Sequence, residues 1–270
     1  MNRLKIGLAG CLGRMGQELI KAIHHDPNVE FAGGFEHPNH KDVGKVIEKI
    51  LDLKIDKIVL DKNELVFKNS EVVIDFTTPE STMDNVKIAQ KHQTPLVIGT
   101  TGLTKKNIQE IAIAADDIPI LQSANMSIGV NLLLKLVTDS SKILKEENYD
   151  VEILETHHRY KVDAPSGTAL ALGEKIAEGR GKNFNDIKVF DRSSKKSSRK
   201  IGEIGFGVTR AGEIAGEHSV NFISKNDRIE LVHKANNRSI FVEGAISAAK
   251  WIVNQKPGIY SMSNVIGYLK

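Results

Sequence analysis

The feature that most constrains this chain lies near its start. The apolar run Leu4 to Ala9 breaks at Gly10-Cys11-Leu12-Gly13-Arg14-Met15-Gly16, and Gln17 to His24 then follows a helical pattern. A strand that passes into a helix through glycines can turn tightly, and it brings backbone N–H groups against a phosphate at the positive end of the helix. That is the context a dinucleotide-binding turn requires. The spacing is G-x-x-G-x-x-G, with Leu12 where the commoner pattern has its second glycine, so the motif alone leaves an ordinary strand-to-helix turn open. A second component stands at Glu36, which closes the run Val29 to Phe35 and lies 20 residues after Gly16. A carboxylate at the end of the second strand can accept hydrogen bonds from ribose hydroxyls. Cys11 has no base beside it in sequence and is not expected to be a nucleophile.

Further along, short apolar runs at Val72 to Phe76, Leu96 to Ile98 and Ile118 to Leu121 alternate with helical stretches. Such runs fit strands buried on both faces, and parallel strands need crossover helices, so the first 125 or so residues predict a doubly wound parallel sheet of α/β class. The strand ends carry Asp75-Phe76-Thr77-Thr78-Pro79 and Gly99-Thr100-Thr101-Gly102, placed where an open α/β sheet binds its ligand, although ordinary loops use the same residues. Met126 to Lys145 reads as a helix with Leu132, Leu133, Leu136 and Val137 as its apolar stripe. After residue 150 period-2 segments such as Val151, Ile153 and Val220, Phe222 indicate half-exposed strands of a second domain, with a helix at Thr168 to Glu178. A last helix carries Phe241, Ala245, Ala248, Ala249 and Ile252, is expected to stop at Pro257-Gly258, and can pack back onto the first domain.

Composition narrows the function classes. In 270 residues, 37 basic and 34 acidic side chains give a net charge of +3 and are mostly interspersed, which disfavours a nucleic-acid partner. Apolar stretches are short and interrupted, the opening residues lack a secretory h-region, and one cysteine excludes an internal disulfide framework. A cytoplasmic protein with no membrane association is expected. The segment Ser193 to Lys200 is locally basic; it reads either as a surface loop or as a flap attracting an anionic ligand.

The stretch most loaded with chemistry follows the strand Ile153-Leu154-Glu155. It runs Thr156-His157-His158-Arg159-Tyr160-Lys161-Val162-Asp163-Ala164-Pro165-Ser166-Gly167-Thr168. Two imidazoles, an arginine and a lysine beside a Ser-Gly-Thr helix start point to an anionic, carboxylate-bearing substrate. A histidine can shuttle protons near neutral pH, and a lysine can supply a proton or bind a carboxylate. A polar surface loop with a helix cap remains the plain alternative. No metal is expected, because adjacent residues on an extended chain point oppositely and no cysteine or third histidine lies nearby in sequence; the same objection meets His37 and His40.

Taken together, these stretches resemble the dihydrodipicolinate reductase family, whose signature E-x-H-H-x-x-K-x-D-A-P-S-G-T-A is matched by Glu155 to Ala169. Gly10 to Gly16, Gly99 to Gly102, Ser123 to Asn131 and Arg210 to His218 are similar to further family motifs, and the match runs essentially end to end. The resemblance implies reduction of 4-hydroxy-tetrahydrodipicolinate by a reduced nicotinamide in the diaminopimelate route to lysine. It implies His157 as proton donor or acceptor and Lys161 as proton donor, with His158, Lys161, Gly167 and Thr168 holding the dicarboxylate. Gly10, Cys11, Leu12, Gly13, Arg14, Met15, Glu36, His37, Gly99, Thr100, Thr101, Ser123, Ala124, Asn125 and Met126 would line the cofactor. The implied fold is a Rossmann-type domain of residues 1–126 and 239–270, plus a smaller α+β mixed-sheet domain of residues 127–238 for substrate binding and assembly as a homotetramer. Many relatives carry arginine after the strand-two glutamate, where it can meet the 2′-phosphate of NADPH. Here the residue is His37, so NADH is expected to be preferred, with use of NADPH as the alternative. Thr78, where some members have a basic residue, has no evident effect. A different Rossmann oxidoreductase and a non-catalytic dinucleotide-binding regulator are the competing functions; the first lacks a substrate-domain cysteine for aspartate-semialdehyde chemistry, and the second would not need His157 and Lys161.

Overall fold

The computed structural model describes residues 3–61, 63–193 and 197–267. The chain forms two compact units, one made of the residues up to Ser127 together with those from Ser239 onward, the other of Ile128–Arg238. In the first unit β1 (Leu4–Ala9) leads into α1 (Arg14–His25), β2 (Val29–Phe35), α2 (Ile47–Leu51), β3 (Val59–Leu60) and α3 (Glu64–Asn69). There follow β4 (Val72–Asp75), α4 (Pro79–His92), β5 (Leu96–Ile98), α5 (Lys105–Ala114) and β6 (Pro119–Gln122). The second unit holds α6 (Ile128–Ile143), β7 (Asp150–His157), α7 (Gly167–Arg180), α8 (Phe184–Ile187), β8 (Lys188–Val189), β9 (Ile204–Arg210), β10 (Gly216–Ile223) and β11 (Arg228–Ala235). The chain then returns to the first unit with α9 (Ser239–Ile252), β12 (Gly258–Tyr260) and α10 (Met262–Val265).

The seven strands of the first sheet run in the order β12-β6-β5-β4-β1-β2-β3, and their pairings are parallel. This is the doubly wound Rossmann-type order, which reverses direction between β1 and β4 and opens a crevice at the strand carboxyl ends. β4 explains why the apolar runs are continuous: Val72, Val73 and Ile74 are all fully buried, because helices cover both faces. One face packs Leu19, Ile20 and Ile23 of α1 with Val242, Ala245, Ile246, Ala249 and Ile252 of α9. The other packs Val66 and Phe67 of α3 with Val86 and Ala89 of α4 and Ile111 of α5.

The second sheet is mixed, in the order β11-β10-β7-β9-β8. β10 is antiparallel to β7 and β11, while β9 is parallel to β7 and β8. Val151, Ile153, Val220 and Phe222 point to one face and are buried with Leu133, Val137, Leu172 and Ile176 of the two long helices. Leu154 and Val232 are about half exposed, at 50% and 49%, on the opposite face.

Several elements differ from the sequence expectation. The α6 stripe is built from Leu133, Val137 and the partly buried Leu134, while Leu136 is exposed, because a 3.6-residue period carries position 136 round to solvent. α9 ends at Ile252, well before Pro257; Gly258 instead opens β12, which pairs with β6. β3 and β12, of two and three residues, are too short to leave a periodic trace. The basic segment lies partly outside the described residues, at 194–196. Of its flanks, Arg199 pairs with Asp150 at 2.8 Å and with Glu152, and Arg192 pairs with Glu203 at 2.7 Å, so these two guanidinium groups tie the described flanks to β7 and to the residue before β9. Among the described residues no helix is long and apolar enough to cross a membrane.

Candidate active site

At the carboxyl end of β1, Gly10 adopts φ +64°, a conformation open to glycine and avoided by residues with a side chain. At Gly16 a Cβ would lie 2.6 Å from the Cys11 carbonyl oxygen, so a larger residue would push α1 off the turn. Gly13 is the N-cap of α1 and no side chain caps it, which leaves the first N–H groups and the positive helix end to an anion. Cys11 and Leu12 turn their side chains into the core, so their backbone is what the turn offers a ligand. Burial, reinforced by the Glu36 charge, pushes the Cys11 thiol up to about 12, and a protonated thiol is a poor nucleophile.

Glu36 is tied to this turn. Its Oε2 accepts from the Leu12 N–H at 3.0 Å and its Oε1 from the His37 N–H at 3.2 Å, and each oxygen retains a second lone pair for a hydroxyl. The His37 Nδ1 accepts from the Asn39 N–H at 3.3 Å. Gly10, Gly13, Glu36 and His37 line a cavity of about 600 Å³, and so do Asp61 and Asp84, two carboxylates that no sequence motif singled out.

The next strand ends are organised by Asp75, which is fully buried. Its Oδ1 accepts from the Thr77 N–H at 2.9 Å and hydroxyl at 2.6 Å and from the Thr100 hydroxyl at 3.3 Å; its Oδ2 accepts from the Asn85 amide at 3.0 Å. One carboxylate thus joins the ends of β4 and β5 to α4. Thr100 was expected at the cofactor, but its side chain is buried in this network, whereas Thr101 is exposed and the Gly99 N–H is held by the Asp75 carbonyl at 2.8 Å. After β6, the Ser123 hydroxyl donates to the Asn125 carbonyl at 2.8 Å and Asn125 Oδ1 accepts from the Ser127 N–H at 2.9 Å. Ala124 is exposed at the tip and the Met126 side chain lies in the core. Arg14 is exposed and Met15 packs beneath the turn. Thr78 is the N-cap of α4 with Pro79 behind it, its hydroxyl accepting from the Ser81 N–H at 3.4 Å, which gives that position a local structural reason.

In the second unit, alternation along β7 sends Glu155 and His157 to the helix-covered face. The register places His218 of β10 opposite Glu155 and Arg210 of β9 beside His157. Glu155 Oε1 accepts from Arg210 Nη2 and from the Ser166 N–H, both at 2.9 Å; Oε2 accepts from Arg210 Nη1 at 3.0 Å and contacts His157 Nδ1. Burial alone would raise the Glu155 carboxyl, but Arg210, the Ser166 N–H and His157 outweigh it and hold it below the ordinary carboxylate range. Burial pushes the His157 imidazole down, against the attraction of Glu155. His218 stacks edge-on to His157 with ring centroids 5.1 Å apart, and burial, then the His157 charge, pushes it down to about 4.

Lys161 bonds Asp163 at 2.8 Å, which lowers the Asp163 carboxyl. The backbone around it is pinned, with the N–H groups of His158 and Arg159 donating to the Ile214 and Gly212 carbonyls at 2.8 and 3.1 Å. His158 lines a cavity of about 390 Å³ with Tyr160, Glu213 and Arg238, and its buried Nδ1 has no protein partner. Ser166 caps α7, its Oγ accepting from the Ala169 N–H at 3.2 Å and meeting His218 Nε2 at 3.1 Å. Gly167 follows in open space, with nothing within 4 Å of where a Cβ would be.

The third histidine missing from the local sequence is therefore supplied by β10. Glu155, His157 and His218 present ligand atoms within 4.8 Å of one another. A cation is nonetheless poorly served there, since the Arg210 guanidinium lies against the carboxylate and, with the Ser166 N–H, takes up three of its four lone-pair positions.

Two family models account for most of the chain. Residues 4–126 match the dihydrodipicolinate reductase N-terminus and residues 129–266 the dihydrodipicolinate reductase C-terminus. The chain belongs to the dihydrodipicolinate reductase family. Relatives named 4-hydroxy-tetrahydrodipicolinate reductase include those of Magnetococcus marinus, 40% identical over 98% of this chain and 99% of that one, and of Polynucleobacter necessarius, 39% identical over 99% and 100%. A solved dipicolinate-bound dihydrodipicolinate reductase from Paenisporosarcina sp. TG-14 shares the fold, with a TM-score of 0.76 at 24% identity over 96% of this chain and 98% of that one. As a member of this family the chain is an oxidoreductase that uses a nicotinamide cofactor to reduce 4-hydroxy-tetrahydrodipicolinate in diaminopimelate and lysine biosynthesis. For a dihydrodipicolinate reductase, the residues that sequence reasoning left without a role are Asp75, Asn85, Glu155, Arg210, His218 and Arg238. Glu155, Arg210 and His218 stood within recognisable motifs, but only strand register reveals that they meet.

Proposed function

We propose that His157 and Lys161 handle the protons of this reduction and that His158, Lys161, Gly167 and Thr168 hold the dicarboxylate. The observation that carries this is the convergence in one unit of an imidazole with a carboxylate behind it, a lysine close enough to lower that imidazole's proton affinity, and a helix start left open at Gly167. When bound, the reduced nicotinamide supplies hydride. The chain's part is to orient the ring by its carboxylates at the α7 N-terminus, where N–H groups favour anions, and to deliver a proton from Lys161 Nζ. His157 gives or takes a proton as needed, as an imidazole can. The first unit is the cofactor domain: the Gly10 to Met15 backbone takes the pyrophosphate and Glu36 the adenosine ribose, while the Gly99–Thr101 and Ser123–Met126 loops serve the nicotinamide end.

NADH is the preferred cofactor. His37 is committed to its own turn, and Glu36, Asp61 and Asp84 line the same cavity, so a 2′-phosphate would meet carboxylates. The enzyme works in the cytoplasm as a homotetramer, assembled through the open face of the second sheet where Leu154 and Val232 are exposed.

The test is loss of reduced-nicotinamide absorbance when 4-hydroxy-tetrahydrodipicolinate is generated in situ by the synthase that precedes the reductase. Lys161→Ala should lose mainly turnover, with NADH binding intact. Equal loss of both would contradict the roles given to Lys161, and no absorbance change with either cofactor would contradict the whole scheme.

A further inference from the structure

Glu155 has an acceptor count that closes. An ionised carboxylate offers about four lone-pair positions, and here Arg210 Nη1, Arg210 Nη2, the Ser166 N–H and His157 Nδ1 address all four. The first three can only donate. A protonated Glu155 could point its hydrogen only at His157 Nδ1, but the Arg210 guanidinium, bonded to both oxygens, holds the carboxyl below its ordinary range, so the carboxylate is ionised and the fourth contact is also a donated hydrogen bond. His157 therefore carries its proton on Nδ1, and its other nitrogen, Nε2, is the one left to exchange protons.

We propose that Glu155, clamped by Arg210 and the Ser166 N–H, is a positioning residue that fixes His157 as its Nδ1–H tautomer and supports its protonated form, so that Nε2 alone serves the reaction. This rests on the assignment of His157 as the proton donor or acceptor. The groups facing His157 are Glu155 on its own strand, Arg210 on β9, His218 on β10 with His233 on β11 beyond it, and Lys161 with Asp163 in the following loop. Lys161 and Arg210 disfavour the imidazolium. His218 does not offset them, because it is buried, neutral near pH 7 and engaged with the Ser166 hydroxyl. Glu155 is the anion in hydrogen-bond contact, so it is the group that keeps His157 able to charge. Arg210 acts one step further back: its planar fork fits both carboxylate oxygens and prevents Glu155 from rotating away or taking up the proton itself.

The test starts with the full-length wild-type chain carrying 15N-labelled histidine, using His157→Gln only to assign its ring signals. At neutral pH the His157 signals should show protonated Nδ1 and unprotonated Nε2. In Glu155→Gln the His157 titration should move down by about one to three pH units, the shift expected on removing an opposite charge in contact. The pH profile of kcat/KM should move with it. Its kcat should fall on the order of 10- to 100-fold, as when the carboxylate behind a functional histidine is removed, while KM for the dicarboxylate stays near wild type. A wild-type Nε2–H tautomer overturns the proposal, and that outcome needs neither a folded variant nor activity. A Glu155→Gln titration that superimposes on wild type overturns it as well. Absence of reductase turnover in the wild type would instead strike at the proton role of His157, leaving the tautomer result to judge Glu155.

Discussion

His37 shows how much one side chain can decide at the residue scale. Its imidazole accepts a local backbone hydrogen bond, so it offers a phosphate far less than a guanidinium would. His37→Arg should therefore raise the affinity for NADPH relative to NADH by on the order of 10-fold, in line with one added charge-assisted hydrogen bond. Fluorescence titration with both cofactors measures this, and an unchanged ratio would mean that Asp61 and Asp84 control selectivity instead. His218 makes a second residue-scale prediction, on pH. Its folded value lies near 4 against an ordinary 6.5, so below pH 6.5 the unfolded chain takes up a proton that the folded chain refuses. Stability is fully present above pH 6.5 and falls as pH drops toward 4, by on the order of 3 kcal/mol from this group. His157 and His233 are also lowered and add in the same direction. Melting temperatures recorded across this range should decline less steeply for His218→Gln, whose amide can still donate to the Ser166 hydroxyl. Slopes that coincide would remove His218 as the cause.

At the scale of elements, α7 depends on its two ends. Ser166 caps the helix and also meets His218, so Ser166→Ala should cost about 1 kcal/mol for the cap and more for the buried imidazole that loses its partner. Chemical denaturation gives the sum, and a loss confined to the cap value would mean that the histidine contact contributes nothing. At the other end Gly179 lies close to α6, where a Cβ would sit 2.5 Å from the Thr138 carbonyl oxygen. Gly179→Ala should destabilise by about 1 to 3 kcal/mol through forced separation of the helices, even though alanine is the better helix former. A stabilised variant would show that α6 and α7 can spread freely. Elements are also where sequence and structure part company. β1, β2 and β5 were legible because buried parallel strands write themselves as apolar runs, and Glu36 was legible because its place follows from local spacing. Asp75 was visible as a strand-end carboxylate, yet nothing local foretells that Thr77, Thr100 and Asn85 converge on it. His218 is 61 positions from His157 in sequence, and only the antiparallel pairing of β7 with β10 brings them together.

For the whole molecule, the open face of the second sheet carries the assembly prediction. Leu154→Glu places a charge at an exposed apolar position opposite the helices; light scattering should then report species smaller than the proposed tetramer, with circular dichroism unchanged. A variant that keeps the wild-type mass would locate the interface elsewhere. The division into two units was legible as a change of texture, since continuous apolar runs give way to alternation once one sheet face is left open. The return of the chain was legible only in part. The small-residue periodicity of α9 announced a helix, but β12 needed the neighbouring β6 to exist as a strand at all.

That return sets a timetable for synthesis. One face of the first sheet is covered jointly by α1 and α9, and α9 leaves the ribosome only after the whole of Ile128–Arg238. Ile128–Arg238 is continuous and can complete its core during translation, whereas the nascent first unit must wait, with Ile74, Val97 and Leu121 uncovered, until residues 239–260 emerge. Of the two units, the one begun earlier is thus the one finished later, and a chain cut at residue 238 would present that bare face to chaperones and proteases.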